Sequence, residues 1–277
     1  MDFDSSTFAA LADAWQWKLS LFAFASIMAV FFVGGKLLTL VPAYHEAAAM
    51  NRAAYAEKMG NPRYAANQKW NRKWGWVDQI VIFAGILPFC LTLSPQPWWQ
   101  VLRDTFVILM VYDFFYYLVH RFLFHDEGFF GGPLIWVHAV HHRQKDPCRG
   151  DSSFIHPIEV ALGLGLYAAC IFVLSRLMGP FSVTTIVVTW VAFSAINQHN
   201  HDLWKAAFPA KYLSTMSVMH HNHHSRFIGG NFATISLLYD WLLGTIDDGL
   251  GGKEARRGLL RRLPSRSGKA PEPRPEV

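Results

Sequence analysis

The stretch TFVILMVYDFFYYLVHRFLFH, residues 105–125, is a run of apolar and aromatic residues that ends in a histidine and carries a second histidine five residues earlier. It is long enough for a helix, at about 1.5 Å per residue, to cross a hydrocarbon layer of about 30 Å. An acid inside such a span, here Asp113, is costly and indicates a functional role. The stretch therefore predicts a membrane helix with chemistry at one end.

Four more apolar segments have a similar length, at residues 19–41, 76–93, 158–178 and 181–198. Hydrophobic residues make up 52% of the 277 residues and charged residues only 16%, against about 25% charged in soluble domains. We therefore predict an all-α, multi-pass membrane helical bundle of about four to five spans. A histidine-rich helical cap would lie on its cytoplasmic side.

Basic residues are concentrated in alternate loops. Segments 42–75 and 121–149 and the tail after residue 232 are basic, whereas the first 18 residues hold three Asp and one Lys. The positive-inside rule then predicts an outside N-terminus and a cytoplasmic C-terminus. The acidic leader is not typical of a cleaved signal peptide.

Two histidine motifs, WVHAVHH (residues 136–142) and MHHNHH (residues 219–224), share the spacing i, i+3, i+4. On a helix this spacing puts three rings on one face, within reach of a shared ion. The candidates are His138, His141, His142, His220, His223 and His224. His221 would point about 100° away and is a weaker candidate.

Two further histidines, five residues apart, end the opening stretch. On an unbroken helix His120 and His125 would diverge by about 140°. We therefore expect the helix to end or bend near Phe124, so that His125 folds back. His199 closes the fifth apolar segment at the same membrane depth and can reach the same centre, whereas His156 more simply marks the start of a helix at Pro157.

Nine neutral imidazoles are too many for one tetrahedral zinc ion. They suit two ions with five or six ligands each. Zinc, copper, iron and nickel all accept imidazole, so the ligand type leaves the metal open. The chain lacks the Glu-x-x-His pairs of soluble di-iron bundles, which favours a histidine-rich centre.

Five motifs, in order, resemble those of the fatty acid hydroxylase superfamily, which includes sterol desaturases. They are DFFYYLVHRFLFH (residues 113–125), WVHAVHH (136–142), NQHNHDLW (197–204), MHHNHH (219–224) and GNFATISLLYDWLLGT (230–245). The chain departs from the family pattern at Ala233, Tyr239 and Leu243, and has two extra histidines, His201 and His221.

This resemblance implies a non-haem di-iron centre that uses O2 to oxidise an unactivated C–H bond. Zinc could replace the two iron ions in purified protein. The implied metal ligands are His120, His125, His138, His141, His142, His199, His220, His223 and His224. Extra ligands could come from His156, His201 and His221.

Three polar residues are expected behind the ligands. Asp113 lies two turns before His120 on nearly the same face, so we expect it to accept a hydrogen bond from a ligand's free N–H group. Asn231 and Asp240 are similar candidates. The implied domains are N-terminal spans and a basic loop (1–104), the di-iron hydroxylase domain (105–248) and a basic, disordered tail (249–277).

The expected substrate is a lipid that enters from the bilayer, with the aromatic residues 114–117 lining its path or packing within the span. Electrons would come from a separate carrier, a cytochrome or ferredoxin with its reductase, because the sequence has neither a G-x-G-x-x-G motif nor a four-cysteine iron–sulfur motif. Hydroxylation is favoured over desaturation. A zinc hydrolase, which would need a base such as that of H-E-x-x-H, and a metal carrier are less favoured. No nucleic-acid module is recognisable.

Overall fold

The computed structural model describes residues 5–125, 130–204, 211–227, 229–249 and 256–257. The helices are α1 (Ser5–Ala14), α2 (Trp17–Leu38), α3 (Pro42–Met59), α4 (Pro62–Ile80), α5 (Trp98–Val119), α6 (Ile135–His138), α7 (Pro157–Met178), α8 (Val183–Asn200), α9 (Lys211–Ser225) and α10 (Leu238–Leu243). Four two-residue strands complete the fold: β1 (Leu91–Thr92), β2 (Phe181–Ser182), β3 (Ile246–Asp247) and β4 (Arg256–Arg257). β1 pairs with β2 in parallel, and β3 pairs with β4 antiparallel. Most of the predicted tail, 249–277, lies outside the described residues.

Three helices in the described ranges are long and apolar enough to cross a membrane: Ala10–Leu38, Trp98–Phe124 and Pro157–Met178. The predicted all-α membrane bundle is therefore confirmed, with three of the five apolar segments forming such helices. The other two segments differ. Segment 76–93 comprises the end of α4, a π-helical turn (Val81–Ile86), a short 3₁₀ turn (Leu87–Phe89) and β1. Segment 181–198 forms β2 and most of α8, an 18-residue helix that includes several threonines.

Three interlocking aromatic side chains join α5, α7 and α8. The rings of Tyr167 and Phe193 stack with centroids 4.3 Å apart, and Tyr112 packs edge-on against both, at 5.5 and 5.1 Å. All three side chains are buried. Aromatic pairs of this geometry contribute about 0.5–1.5 kcal/mol beyond the burial of their area. The contact fixes the relative positions of the three helices whose ends form the site.

One end of the bundle is closed by backbone pairing. Phe181 in β2 donates its amide hydrogen to Cys90, at 2.8 Å, and the amide of Gln16 donates to the Pro88 carbonyl, at 3.1 Å. These bonds gather the starts of α2 and α8 at this end. The end of α5, the start of α7 and the end of α8 therefore lie together at the opposite end.

The hairpin of α3 and α4 covers this opposite end. Asn51 in α3 donates to the Leu203 carbonyl at 3.1 Å and accepts from the amides of Leu203 and Arg149, at 3.1 and 2.8 Å. From α4, the Tyr64 hydroxyl donates to Asp151 at 2.8 Å. The hairpin is thus attached by buried polar contacts to the segments before α7 and after α8.

Candidate metal centre

Nine buried histidines form two groups at the end of the bundle that the α3–α4 hairpin covers. The five-histidine group consists of His120, His125, His138, His142 and His223. The four-histidine group consists of His141, His201, His220 and His224. Within each group, one ring nitrogen from every residue lies within 4.8 Å of the others. This is the ligand density that a metal ion requires.

In the five-histidine group, four ring nitrogens form a closed circuit and the fifth ring lies close to all four. The Nε2 atoms of His120, His138, His142 and His223 form a closed circuit with sides of 3.0, 3.0, 3.1 and 3.1 Å. The ring of His125 lies 4.9 to 5.2 Å from the other four ring centroids. A planar square of this size would put each nitrogen about 2.2 Å from its centre, near the metal–imidazole distance of about 2.0–2.1 Å. The group therefore fits a five-coordinate ion.

The four-histidine group is centred on His201. Its Nε2 atom lies 3.1 Å from that of His141, 3.0 Å from that of His220 and 3.3 Å from that of His224. The Nε2 atoms of His220 and His224 are 3.2 Å apart. These separations also suit nitrogen ligands that share one ion.

The rings are held from behind by acceptors for their Nδ1–H groups. The Nδ1 atoms and their carbonyl partners are His120 with Phe232 (2.7 Å), His223 with Gly230 (2.8 Å), His201 with Asn197 (2.9 Å), His224 with Gln144 (3.0 Å) and His141 with Phe154 (3.1 Å). A carbonyl oxygen only accepts, so in each pair Nδ1 carries the proton. Because a neutral imidazole has one proton, Nε2 then presents its lone pair to the group.

Lone pairs that face one another at 3.0 to 3.3 Å repel. A cation between them removes this repulsion, and this is the main reason for interpreting the two groups as metal sites. The pKa values of His141 and His223 are lowered to about 4, mainly because the rings are buried. These two rings are therefore neutral at pH 7, as metal ligands must be.

Each i, i+3, i+4 motif divides between the two groups. We predicted that the three rings of a motif would share one ion, and this is wrong. His138 and His142 belong to the five-histidine group, whereas His141 between them belongs to the four-histidine group. In α9 the assignment is reversed: His220 and His224 lie in the four-histidine group, and His223 lies in the five-histidine group. Successive residues of a helix diverge by about 100°, so the i+3 and i+4 rings face different centres.

The end of α5 changes its winding at the first ligand. A π-helical turn runs over His120–Phe124, and the amide of His125 donates to the carbonyl of His120 at 3.0 Å. His125 itself is extended, with φ −117° and ψ 154°. The predicted bend near Phe124 is confirmed, and it brings His120 and His125 into the same group.

The residue that follows α8, His201, lies in the site, where we expected His199. The Nδ1 atom of His199 lies 3.3 Å from a carboxylate oxygen of Asp202, and its ring packs against Trp204. His199 is in neither group. Residues two apart on a helix diverge by about 200°, and α8 ends at Asn200, so only one of the two histidines can face the centre.

Two other candidate ligands also lie outside both groups. His156 accepts a hydrogen bond from the amide of Ile158, at 3.2 Å, and caps the start of α7. His221 belongs to neither group, as its position on the helix predicts.

Two buried carboxylates hold the loop that supplies the acceptors of His120 and His223. The amides of residues 232–236 donate in succession, the first two to Asp240 (2.8 and 2.8 Å) and the last three to Asp113 (2.9, 2.8 and 3.1 Å). The prediction that Asp113 accepts from a ligand ring is wrong. Asp113 acts one step further out, because the loop that it holds presents the Phe232 carbonyl to His120. Asp240 serves the same loop.

Asn231 connects this loop to α9. It is in the left-handed region, with φ 64°. Its side-chain amide donates to the carbonyls of Met219 (2.9 Å) and Asp247 (2.8 Å), and its oxygen accepts from the Asp247 amide (2.9 Å). Met219 precedes His220, so Asn231 also supports the site through the backbone and does not touch a ring.

Glu159 is a candidate functional residue that we did not predict. It lies in the first turn of α7, is buried, and accepts from Nδ1 of His138 at 2.8 Å. A carboxylate behind a ligand fixes the ring and raises its basicity. The argument that an acid inside a span is functional, applied above to Asp113, would have found Glu159 in the apolar segment 158–178.

A cavity of about 750 Å³ adjoins both groups. Its lining includes His120 and His138 from one group and His141, His201 and His220 from the other. Apolar and aromatic side chains of α5, α7 and α8 continue the lining, among them Tyr112, Tyr116, Leu164 and Phe193. Of the aromatic residues 114–117, only Tyr116 lines it. An apolar molecule in this cavity would lie next to the rings.

Comparisons with known proteins agree with the site. The fatty acid hydroxylase family model matches residues 105–245. The chain is 28% identical to a very-long-chain aldehyde decarbonylase of Oryza sativa, over 57% of each chain. It is 26% identical to a fatty acid 2-hydroxylase of Mus musculus, over 61% of this chain and 45% of the relative. It is 24% identical to methylsterol monooxygenase 1 of Gallus gallus, over 60% and 53%.

The chain spans about half the length of the curated relatives it matches. No solved structure matches it.

The assignment of His201 rather than His199 as a ligand can be tested with one matched pair of variants. We expect His201→Gln to lose the ion of the four-histidine group, because the central nitrogen is removed, whereas His199→Gln should retain both ions. Metal per protein, measured by elemental analysis of purified protein, distinguishes the two. Metal loss in His199→Gln with full retention in His201→Gln would contradict the assignment.

The role of Asp113 can be tested through stability. Asp113→Asn leaves at least one amide of residues 232–236 without an acceptor and should lower the free energy of unfolding by about 1–3 kcal/mol. Asp104→Asn is the control, since Asp104 is buried in the same helix but pairs with the half-exposed Arg103. Chemical denaturation in detergent measures both. Equal losses in the two variants would refute a special role for the loop.

Proposed function

Since the chain belongs to the fatty acid hydroxylase family, we propose that it is a membrane-bound oxygenase with a non-haem di-iron centre. It would use O2 and two external electrons to hydroxylate a C–H bond of a lipid. The observation that carries this proposal is the convergence of nine imidazole nitrogens in two buried groups, both of which contribute rings to the lining of one cavity.

The ligands proposed for the two ions are the nine histidines of the two groups. Iron is proposed because breaking an alkyl C–H bond requires redox chemistry with O2, which zinc does not provide. The protein's own part is to hold the rings in place, most of them through an acceptor on the far side of the ring. Glu159 fixes His138, and the loop held by Asp113 and Asp240 fixes His120 and His223.

The proposed substrate is a lipid that enters from the bilayer. The cavity volume of about 750 Å³ is within the range of about 300–1,000 Å³ typical of ligand sites. Tyr112, Tyr116 and Phe193 would exclude water from the tail and hold it beside the rings. A tail held in this way would present its C–H bonds to the two histidine groups.

Hydroxylation is preferred over desaturation on the same centre. Two of the relatives carry monooxygenase or hydroxylase in their names, and both reactions begin by removing one hydrogen from the lipid. A zinc hydrolase or a metal carrier is less well supported. Neither explains why both histidine groups adjoin a cavity with an aromatic and aliphatic lining.

We further propose that the active site and the C-terminus are cytoplasmic, that the N-terminus is outside, and that a separate cytochrome or ferredoxin with its reductase supplies the electrons. The distribution of basic residues supports the orientation. Residues 1–104 would form the N-terminal spans and basic loop, residues 105–248 the catalytic domain and residues 249–277 a basic tail.

The function can be tested by mass spectrometry of lipids. Iron-loaded protein in bilayers of cell lipids, supplied with O2 and a reductant, should yield a lipid that has gained one oxygen. His141→Ala should abolish the product and lower bound iron, because it removes a ligand. Zinc-loaded protein is the matched control and should be inactive. Loss of two hydrogens without oxygen gain would indicate desaturation, and equal activity with zinc would exclude an oxygenase.

The orientation can be tested with a reporter fused after Val277. A reporter active only in the cytoplasm is expected, because the basic segments should remain on that side. The same reporter fused before Met1 should be inactive, because the N-terminus is proposed to lie outside. The reverse pattern would overturn the proposed topology but not the metal assignment.

A further inference from the structure

The lining of the cavity changes in character from one side to the other. Beside the histidine rings, α5, α7 and α8 provide aromatic and aliphatic side chains. The α3–α4 hairpin provides polar and basic side chains instead: Asn51, Arg52, Gln68, Asn71, Arg72 and Gln79. A cavity with these two linings fits an amphiphile, a molecule with an apolar tail and a polar head. The head would lie against α3 and α4.

Two exposed arginines of this polar side have no ion-pair partner among the described residues. Arg149, which also lines the cavity, forms a paired contact with Asp202 at 2.6 and 2.5 Å. Within the part of the chain that the structure describes, neither Arg52 nor Arg72 forms an ion pair. They come from different helices, α3 and α4, yet line the same cavity.

The described lining of the cavity contains few acidic residues. Among the described residues, Glu159 is the one acidic residue in the cavity lining, and its Oε1 atom already accepts from His138. The polar side of the cavity therefore has a positive charge that an anion would neutralise. Arginine is suited to this role because its planar guanidinium donates two parallel hydrogen bonds to a carboxylate or phosphate.

The helix that carries Arg72 also has the composition of a membrane–water interface. In the sequence of α4, Arg72 lies between Trp70 and Trp74, which do not line the cavity and are 45% and 41% exposed. Tryptophan and basic residues concentrate where lipid head groups meet water. The positive-inside bias explains basic residues in this segment generally, but it does not explain why two arginines from separate helices line one cavity.

We propose that the lipid bound in this cavity carries an anionic head, a carboxylate or a phosphate, and that Arg52 and Arg72 are the residues that select it. The apolar tail then extends along Tyr112, Tyr116 and Phe193, within reach of the histidine groups. That this lipid is the substrate rests on the proposed function. The preference for a negative head is a property of binding alone.

The test measures binding without turnover. Metal-loaded protein in discs of neutral phosphatidylcholine, with no reductant, is titrated with three probes of equal tail length: hexadecanoate, hexadecanol and hexadecyl phosphate. We expect an anionic probe to bind about tenfold or more tightly than the alcohol, as hydrogen bonds to charged groups predict. The two anions distinguish a carboxylate site from a phosphate site.

Variants assign the preference to the two arginines. Arg52→Gln and Arg72→Gln should each lower affinity for the preferred anion about fivefold or more and leave hexadecanol unchanged. Arg63→Gln is the control, because Arg63 is an exposed arginine of α4 that does not line the cavity. An equal affinity of the wild-type protein for alcohol and anions would overturn the proposal. So would an equal loss in Arg63→Gln, which would indicate general surface charge, or an equal loss for the alcohol, which would indicate a change of cavity shape.

These outcomes are independent of the proposed oxygenase. A protein that binds the alcohol and the anions equally and still oxidises lipid would refute only the selection by Arg52 and Arg72. A protein that prefers the anion and does not oxidise any lipid would refute only the proposed function.

Discussion

Mutual repulsion between imidazole lone pairs is the constraint on which the site depends. Neighbouring Nε2 atoms lie only 3.0 to 3.3 Å apart in both groups. Without a cation between them, rings in this arrangement would turn or separate. The folded chain keeps them in place by giving most rings an acceptor on the far side, which sets both the direction of the ring and the nitrogen that carries the proton.

These acceptors come mainly from segments outside the long helices. The carbonyls of Gln144, Phe154, Gly230 and Phe232 belong to turns and loops, and only that of Asn197 belongs to α8. Irregular backbone near a membrane is tolerated where its polar groups are used internally. The helices bring the histidines to one end of the bundle, and the loops determine which way each ring faces.

The sequence predicts what depends on helix length and on the spacing of histidines. Apolar segments identify α2, α5 and α7, and the gap between His120 and His125 predicts the bend at Phe124.

The sequence does not reveal where α8 stops, and that boundary decides between His199 and His201. It also does not reveal that α6 is followed by a 3₁₀ turn at His141–Arg143, which helps to divide the first motif between the groups. The partner of Asp113 is a loop 121 residues later in the chain, and no local pattern predicts such a contact.

Because each motif is divided between the two groups, the two groups depend on the same short segments. His138, His141 and His142 lie within five consecutive positions, so the short segment that contributes to one group also contributes to the other. The same is true of His220, His223 and His224. In the proposed two-ion centre, an ion bound by one group would order backbone that the other group requires, so the two ions should bind cooperatively.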